Sequence, residues 1–132
     1  MMEYIYNTPE EAIISLENAY TNKDLEAIIK SKDFDTEAKL ILKEASYNYD
    51  VNDKELINET VELLKTAFIQ SLKENGYPSF QYAEREFSEL EKIDADIYCI
   101  HEKLFFPNNV IYVNKIFLSY KDDLWKVAMI EE

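Results

Sequence analysis

The stretch "YCIHEKLFF" (98–106) carries the one cysteine and the one histidine of the chain, Cys99 and His101. In an extended strand, side chains two residues apart project to the same face. The pair therefore has the types and parity for thiol attack assisted by an imidazole base. That chemistry needs the base within hydrogen-bond reach of the nucleophile and a third group to orient it. Same-face neighbours on a strand stand about 6.5–7 Å apart at the backbone, and nothing flanking the pair resembles a nucleophile motif. A core cysteine beside a partly buried, hydrogen-bonded histidine is the simpler expectation. One Cys and one His also fall short of the four ligands that structural zinc usually takes, so no metal or cofactor is expected.

A second candidate lies just before it. In "EREFSELEKIDAD" (84–96), Glu84, Glu86, Glu89, Glu91, Asp94 and Asp96 stand against only Arg85 and Lys92. Glutamate is a poor strand former, and like charges on one sheet face repel. Glu84 and Glu86 share one face, and Glu89 and Glu91 the other unless a bulge shifts the phase. The segment reads either as a solvated edge strand, whose charge opposes edge-to-edge aggregation, or as a docking surface for a basic protein, with Asp122 and Asp123 extending it. As a divalent-cation site it lacks the Asp/Asn-Gly loop of a calcium hand.

The elements that would position these residues follow from periodicity. In "TPEEAIISLENAY", Thr8 caps, Pro9 suits the first helical position and Glu11 completes a capping box. Ala12, Ile13, Leu16, Ala19 and Tyr20 then form one buried stripe. "NKDLEAIIKS" (22–31) is a shorter helix with Leu25, Ile28 and Ile29 inward. "DFDTEAKLILKEAS" (33–46) is a third, capped by Asp35 or Thr36, with Leu40 and Ile41 inward. A fourth begins at Asn52 and Glu55 as a capping box. Its apolar side runs through Leu56, Ile57, Val61, Leu64, Phe68 and Leu72, widened by Leu63 and Ala67. It closes at Gly76, the one glycine, before Pro78. From there the period changes to two. Residues 79–93, 95–106, 109–120 and 124–130 read as strands, with turns at 107–109 and 121–123. Connections this short make antiparallel hairpins. The fold class is α+β, with about four N-terminal helices packed on a C-terminal antiparallel sheet of about four strands. Residues 1–132 read as one domain.

Fourteen basic against twenty-seven acidic residues leave a net charge of −13. Such a surface repels phosphate backbones and anionic lipids, which argues against nucleic-acid and membrane partners and favours a basic protein. No stretch approaches the length of a membrane span, and the N-terminus shows no basic region or apolar run of a signal peptide. The expectation is a soluble, cytoplasmic domain.

The segments "TPEEAIISLENAYTNKDLEAIIKS" (8–31) and "IFLSYKDDLWKVAMI" (116–130) resemble the nuclear transport factor 2-like superfamily, which includes the ketosteroid isomerases and polyketide cyclases. The likeness lies in a capped helix ending in an aromatic, a short polar turn and a second helix. It continues at the other end, where a long strand, an acidic turn and a Trp-Lys-Val strand close a curved sheet. One departure stands out: members commonly follow the second helix with a short strand, whereas residues 32–76 here read almost wholly as helix. The resemblance implies a cone-shaped cavity. Tyr20 would donate to a ligand there. His101 would serve as base if its face lines the cone, and Glu102 if the opposite face does. Tyr82, Tyr98, Tyr112 and Phe117 would wall the pocket or fill it.

Two functions follow. One is a non-catalytic, acidic protein-binding domain similar to the bacterial immunity proteins of this superfamily, which neutralise a cognate toxin; a basic toxin would match the charge. The other is a small-ligand binder or an isomerase- or cyclase-type enzyme using the cavity. Related folds also dimerise through the sheet, which the apolar strands 97–106 and 110–120 would allow.

Overall fold

A computed structural model describes residues 4–44 and 53–131. Thr8 opens helix α1 (Pro9–Thr21), its hydroxyl accepting the Glu11 N–H. Ala12, Ile13, Leu16 and Ala19 are buried along one stripe, with Tyr20 half-buried. Asp24 caps helix α2 (Leu25–Ser31), which buries Ile28 and leaves Leu25 and Ile29 half-covered. Helix α3 (Phe34–Glu44) starts earlier than its sequence suggests. Its first turn is capped by Asp33, not Asp35 or Thr36: Asp33 Oδ1 accepts the Thr36 N–H and Oδ2 the Thr36 hydroxyl. The expected continuation through residues 45–46 lies outside the described residues. So does Asn52, the expected cap of the fourth helix. There Asp53 takes the N–H groups of Glu55 and Leu56 to open α4 (Lys54–Asn75). Gly76 ends α4 with φ +80°, the positive value for which glycine has no Cβ penalty.

Leu63 and Ala67 do not widen the buried side of α4. Both are exposed, Leu63 by 72%. The helix packs along a narrow line instead. Ile57, Val61 and Leu64 meet Ala38 and Leu42 of α3, while Phe68 and Leu72 reach the cluster around α1 and α2.

The strands are β1 (Glu84–Phe87), β2 (Glu91–Lys92), β3 (Ile97–Phe105), β4 (Ile111–Lys121) and β5 (Leu124–Glu131), all antiparallel in the order β1-β3-β4-β5, with β2 also on β3. The first expected strand is thus two short pieces of one edge. They break at residues 88–90, where the Ser88 N–H bonds the His101 carbonyl and its hydroxyl accepts the His101 N–H. The turn between β4 and β5 is a two-residue loop, Asp122-Asp123, with φ of 53° and 63°. Two positive φ angles give the primed turn whose twist matches a hairpin.

Residues paired across antiparallel strands project to one side. Ile100, Ile116, Leu118 and Val127 meet the stripe of α1 on one face. Cys99, Phe117, Ala128 and Met129 meet Leu40 and Ile41 of α3 on the other. Helices therefore cover both faces. A bulge at Ala128 makes this possible: Phe117 pairs with Met129 but Leu118 with Val127, so β5 carries one extra residue. Beyond the bulge its parity is reversed. The short strand that the family resemblance implies after the second helix is reduced to one parallel bridge, Lys32 to Val127.

Asp33 ties the helical half to the sheet at this point. Its N–H donates to the Val127 carbonyl, 2.9 Å, and its Oδ2 accepts the Ser119 hydroxyl at 2.6 Å and lies 3.4 Å from Lys121 Nζ. Burial raises the Asp33 carboxyl, but the hydrogen bonds from Ser119 and Thr36 and the Lys121 charge outweigh it and hold the group below its usual value. Its contribution is thus present above the ordinary aspartate range and is lost as pH falls through the folded value. Asp33→Ala removes a cap worth ~1 kcal/mol and charge-assisted bonds worth ~1.5–3 kcal/mol. Urea denaturation at neutral pH is expected to show a loss of at least about 2 kcal/mol by that sum. Ser119→Ala should cost less, and the two changes should couple in a double-mutant cycle.

Candidate functional site

The faces assign the sequence candidates. Cys99 is on the α3 face and buried, with its thiol pushed up mainly by that burial. His101, two residues on, is not partly buried as expected but exposed, beyond the end of the α3 cover and paired across the sheet with Lys115. A protonated thiol under a helix and an imidazole in solvent do not form a nucleophile–base pair. Among the described residues no three carboxylate, His or Cys side chains are grouped to hold a metal ion.

Glu102 takes the α1 face and is 1% exposed. Arg85 arrives from β1, and Glu17 from α1. Arg85 Nη2 lies 2.9 Å from Glu17 Oε1, and its Nε 3.8 Å from Glu102 Oε2. None of the three named buried atoms Glu17 Oε1, Arg85 Nε and Glu102 Oε2 makes a well-aligned hydrogen bond. Two buried carboxylates face a single guanidinium, so one charge is in excess. Burial, then the hydrogen bond and charge of Glu102, push the Glu17 carboxyl up from 4.5 to about 9, against the opposing pull of Arg85. Glu17 therefore keeps its proton at neutral pH. The signal was present in the sequence. Glu17 falls four residues after Ile13, inside the apolar stripe of α1, and Arg85 has the opposite parity to Glu84 and Glu86.

Next to this triad a cavity of about 540 Å³ opens on the α1 face, lined by Tyr20, Phe80, Leu104, Phe106, Tyr112 and Asn114 among others. Thr21 holds its rim, its hydroxyl accepting the Phe80 N–H at 2.8 Å. Burial pushes the Tyr20 phenol well above its usual range, and its hydroxyl has no hydrogen-bond partner among the described residues. The acids do not line the cavity. Asn114 stands between, its Nδ2 donating to Glu102 Oε1 at 3.4 Å. Of the aromatic residues expected at a pocket, Tyr20 and Tyr112 come together here. Phe117 is on the opposite face under α3. Tyr98 stacks edge-on against Trp125, 4.8 Å between ring centres. Tyr82 is 78% exposed, with φ +64°, before the first strand begins.

All of Glu84, Glu86, Glu89, Glu91, Asp94, Asp96, Asp122 and Asp123 are exposed. The break at 88–90 shifts the phase, so Glu84, Glu86 and Glu91 oppose Phe105, Lys103 and Cys99 and project to the α3 face together. Asp94, Asp96, Asp122 and Asp123 gather at one end of the sheet, where the Tyr120 N–H bonds the Asp96 carbonyl. Among the described residues no helix is long and apolar enough to cross a membrane.

No family model and no curated protein matches the chain. Among solved structures it is similar to a Campylobacter jejuni crystal structure described as an NTF2-like transpeptidase, at 16% identity and a TM-score of 0.46 over 92% of this chain and 98% of that one. The order of four helices and then an antiparallel sheet stands on this chain's own topology.

The buried triad sets a pH dependence. Unfolded Glu17 ionises near 4.5, while the folded chain keeps its proton to about 9. The stabilisation is therefore full below the lower value and is lost steadily as pH rises to the upper one. Urea midpoints at pH 5, 7 and 9 are expected to fall in that order. Glu17→Gln, which needs no proton, should flatten the fall.

Proposed function

We propose that this chain is a non-catalytic binding domain that docks a basic protein on its acidic edge and sheet end, in the manner of an immunity protein that neutralises a toxin. One observation carries the reading. Of the eight exposed acids, only Asp94 has an ion-pair partner among the described residues, Lys43 at 3.9 Å. That contact joins two mostly exposed side chains and is worth ~0–1 kcal/mol at most. The interior carboxylates Glu17, Asp33, Glu37 and Glu102 are ion-paired, whereas the exterior ones stand almost without internal cations. Unpaired surface charge of one sign raises the association rate of an oppositely charged partner and fixes its orientation. Catalysis finds less support, because the buried acids Glu17 and Glu102 are walled off from the cavity and the thiol and imidazole are apart. Affinity capture is expected to retain a basic protein at low salt, release it at high salt, and retain none on a variant with Glu84, Glu86, Glu89 and Glu91 changed to Gln and Asp94 and Asp96 to Asn. Identical capture by that variant would refute the reading.

A second reading, small-ligand binding, is favoured by the cavity itself. Its volume, about 540 Å³, is within the span of ligand pockets, roughly 300–1,000 Å³. Its walls are aromatic, with Tyr20 and Asn114 as polar groups to orient a guest. Indole titrated into the labelled chain should give saturable shifts at Tyr20 and Tyr112. Ile130→Trp, at the cavity wall, should weaken them about tenfold, an effect of ~1.4 kcal/mol.

A further inference from the structure

The reversed parity of β5 beyond Ala128 turns Leu124 and Lys126 to the α3 face, beside Ser119 and Lys121 of β4. These side chains form one wall of a cleft of about 390 Å³, and the α2–α3 junction and α4 form the others. Four lysines border it: Lys32, Lys65, Lys121 and Lys126. In a chain with twenty-seven acidic and fourteen basic residues, four lysines against three aspartates is a local departure from the acidic average.

The lysines are not equivalent. Lys32 is largely buried; its ammonium is 3.7 Å from Glu37 Oε1 and 4.5 Å above the Phe68 ring. Lys121 is engaged by Thr36 Oγ1 at 3.0 Å and by Asp33. Lys65 and Lys126 are half-buried and make neither an ion pair nor a hydrogen bond from the ammonium among the described residues. Three aspartates also border the cleft. Asp33 is spent on Ser119, Thr36 and Lys121, while Asp35 and Asp122 are exposed to solvent. Two lysine side chains without an anion partner among the described residues therefore border one cavity, their stems partly covered while the ammonium heads can reach an incoming anion. Phe34 and Val61 give the same cleft an apolar wall.

We propose that this cleft binds a small organic anion, with a carboxylate or phosphate between Lys65 and Lys126 and an apolar body against Phe34 and Val61. The net negative charge of the chain does not forbid it. The β1 acids lie at the far edge, three inter-strand spacings or roughly 14 Å from Lys126, beyond the screening length of about 8 Å at physiological salt; Asp122, of the acidic sheet end, borders the cleft itself but is exposed to solvent. The site is on the opposite face from the aromatic cavity and does not depend on the docking reading, so either can fail without the other.

The test is a titration of the isotope-labelled full chain with phenyl phosphate, benzoate and inorganic phosphate, with sodium chloride as the ionic-strength control. Saturable shifts at the amides of Lys65 and of residues 121–126, tighter for phenyl phosphate than for inorganic phosphate, are expected. Benzoate against phenyl phosphate separates the two headgroups, and saturable binding of either supports the site. The pair Lys65→Gln with Lys126→Gln should weaken binding at least about tenfold, and Lys65→Gln alone, on the α4 surface, serves if the pair misfolds. Lys73→Gln, on the same helix away from the cleft, should leave it unchanged. Shifts that never saturate, that sodium chloride reproduces, or that survive the lysine substitutions would overturn the proposal.

Discussion

The half-buried carboxylate of Asp33 determines how the two halves of this chain meet. Its backbone N–H holds the Val127 carbonyl, its side chain caps α3, and the same carboxylate accepts the Ser119 hydroxyl of β4. With the start of α3 pinned to the middle of β5, Leu40 and Ile41 are brought over Cys99, Phe117 and Met129. The helix covers the sheet that far and no farther. The burial of β3 reflects this: Cys99 and Ile100 are both covered, while from His101 on only alternate residues are. The loss of the Cys–His chemistry is therefore a consequence of where one aspartate anchors one helix.

The charges are sorted by a register constraint. Glu86 pairs with Lys103, which sends Arg85 inward to Glu17 and Glu102. A slip of one residue would expose Arg85 and drive Glu84 and Glu86 toward the apolar face of α1. Removing Arg85 from between two carboxylates would leave buried charge uncompensated, which is costlier than the ion pair is stabilising. The interior triad thus specifies the edge strand, and the edge strand in turn presents its other acids to solvent.

What the sequence makes legible is what is local. The Thr8 cap, the stripe of α1, the change of period after Pro78 and the two hairpins each depend on residues within a few positions of one another. The helix-first, sheet-last architecture follows from those alone. The cap of α3 was ambiguous because Asp33, Asp35 and Thr36 are all good caps, and only the contact with Ser119, eighty-six positions away, selects Asp33. The apolar character of Phe117 and Tyr112 was plain, but parity says only which residues share a face, not which helix lies on it. The run "VAMI" hid the bulge, since three consecutive buried residues give no alternation to read. The place of Lys126 in the cleft was invisible for the same reason: it reaches the cleft only because that bulge reverses the strand.

The bulge also bears on which changes of length this chain can absorb. Val127 serves the core beneath α1 while Ala128 and Met129 serve the core beneath α3, so consecutive residues belong to different hydrophobic layers. A deletion or insertion anywhere between Trp125 and Met129 would move side chains from one layer to the other and would detach the Asp33 anchor in the same event. The Asn108-Asn109 turn has no such double duty, since its residues are exposed and join only the two strands beside it. Lengthening in a lineage of such proteins would accumulate at that hairpin tip, beside the aromatic cavity, while β5 kept its residue count.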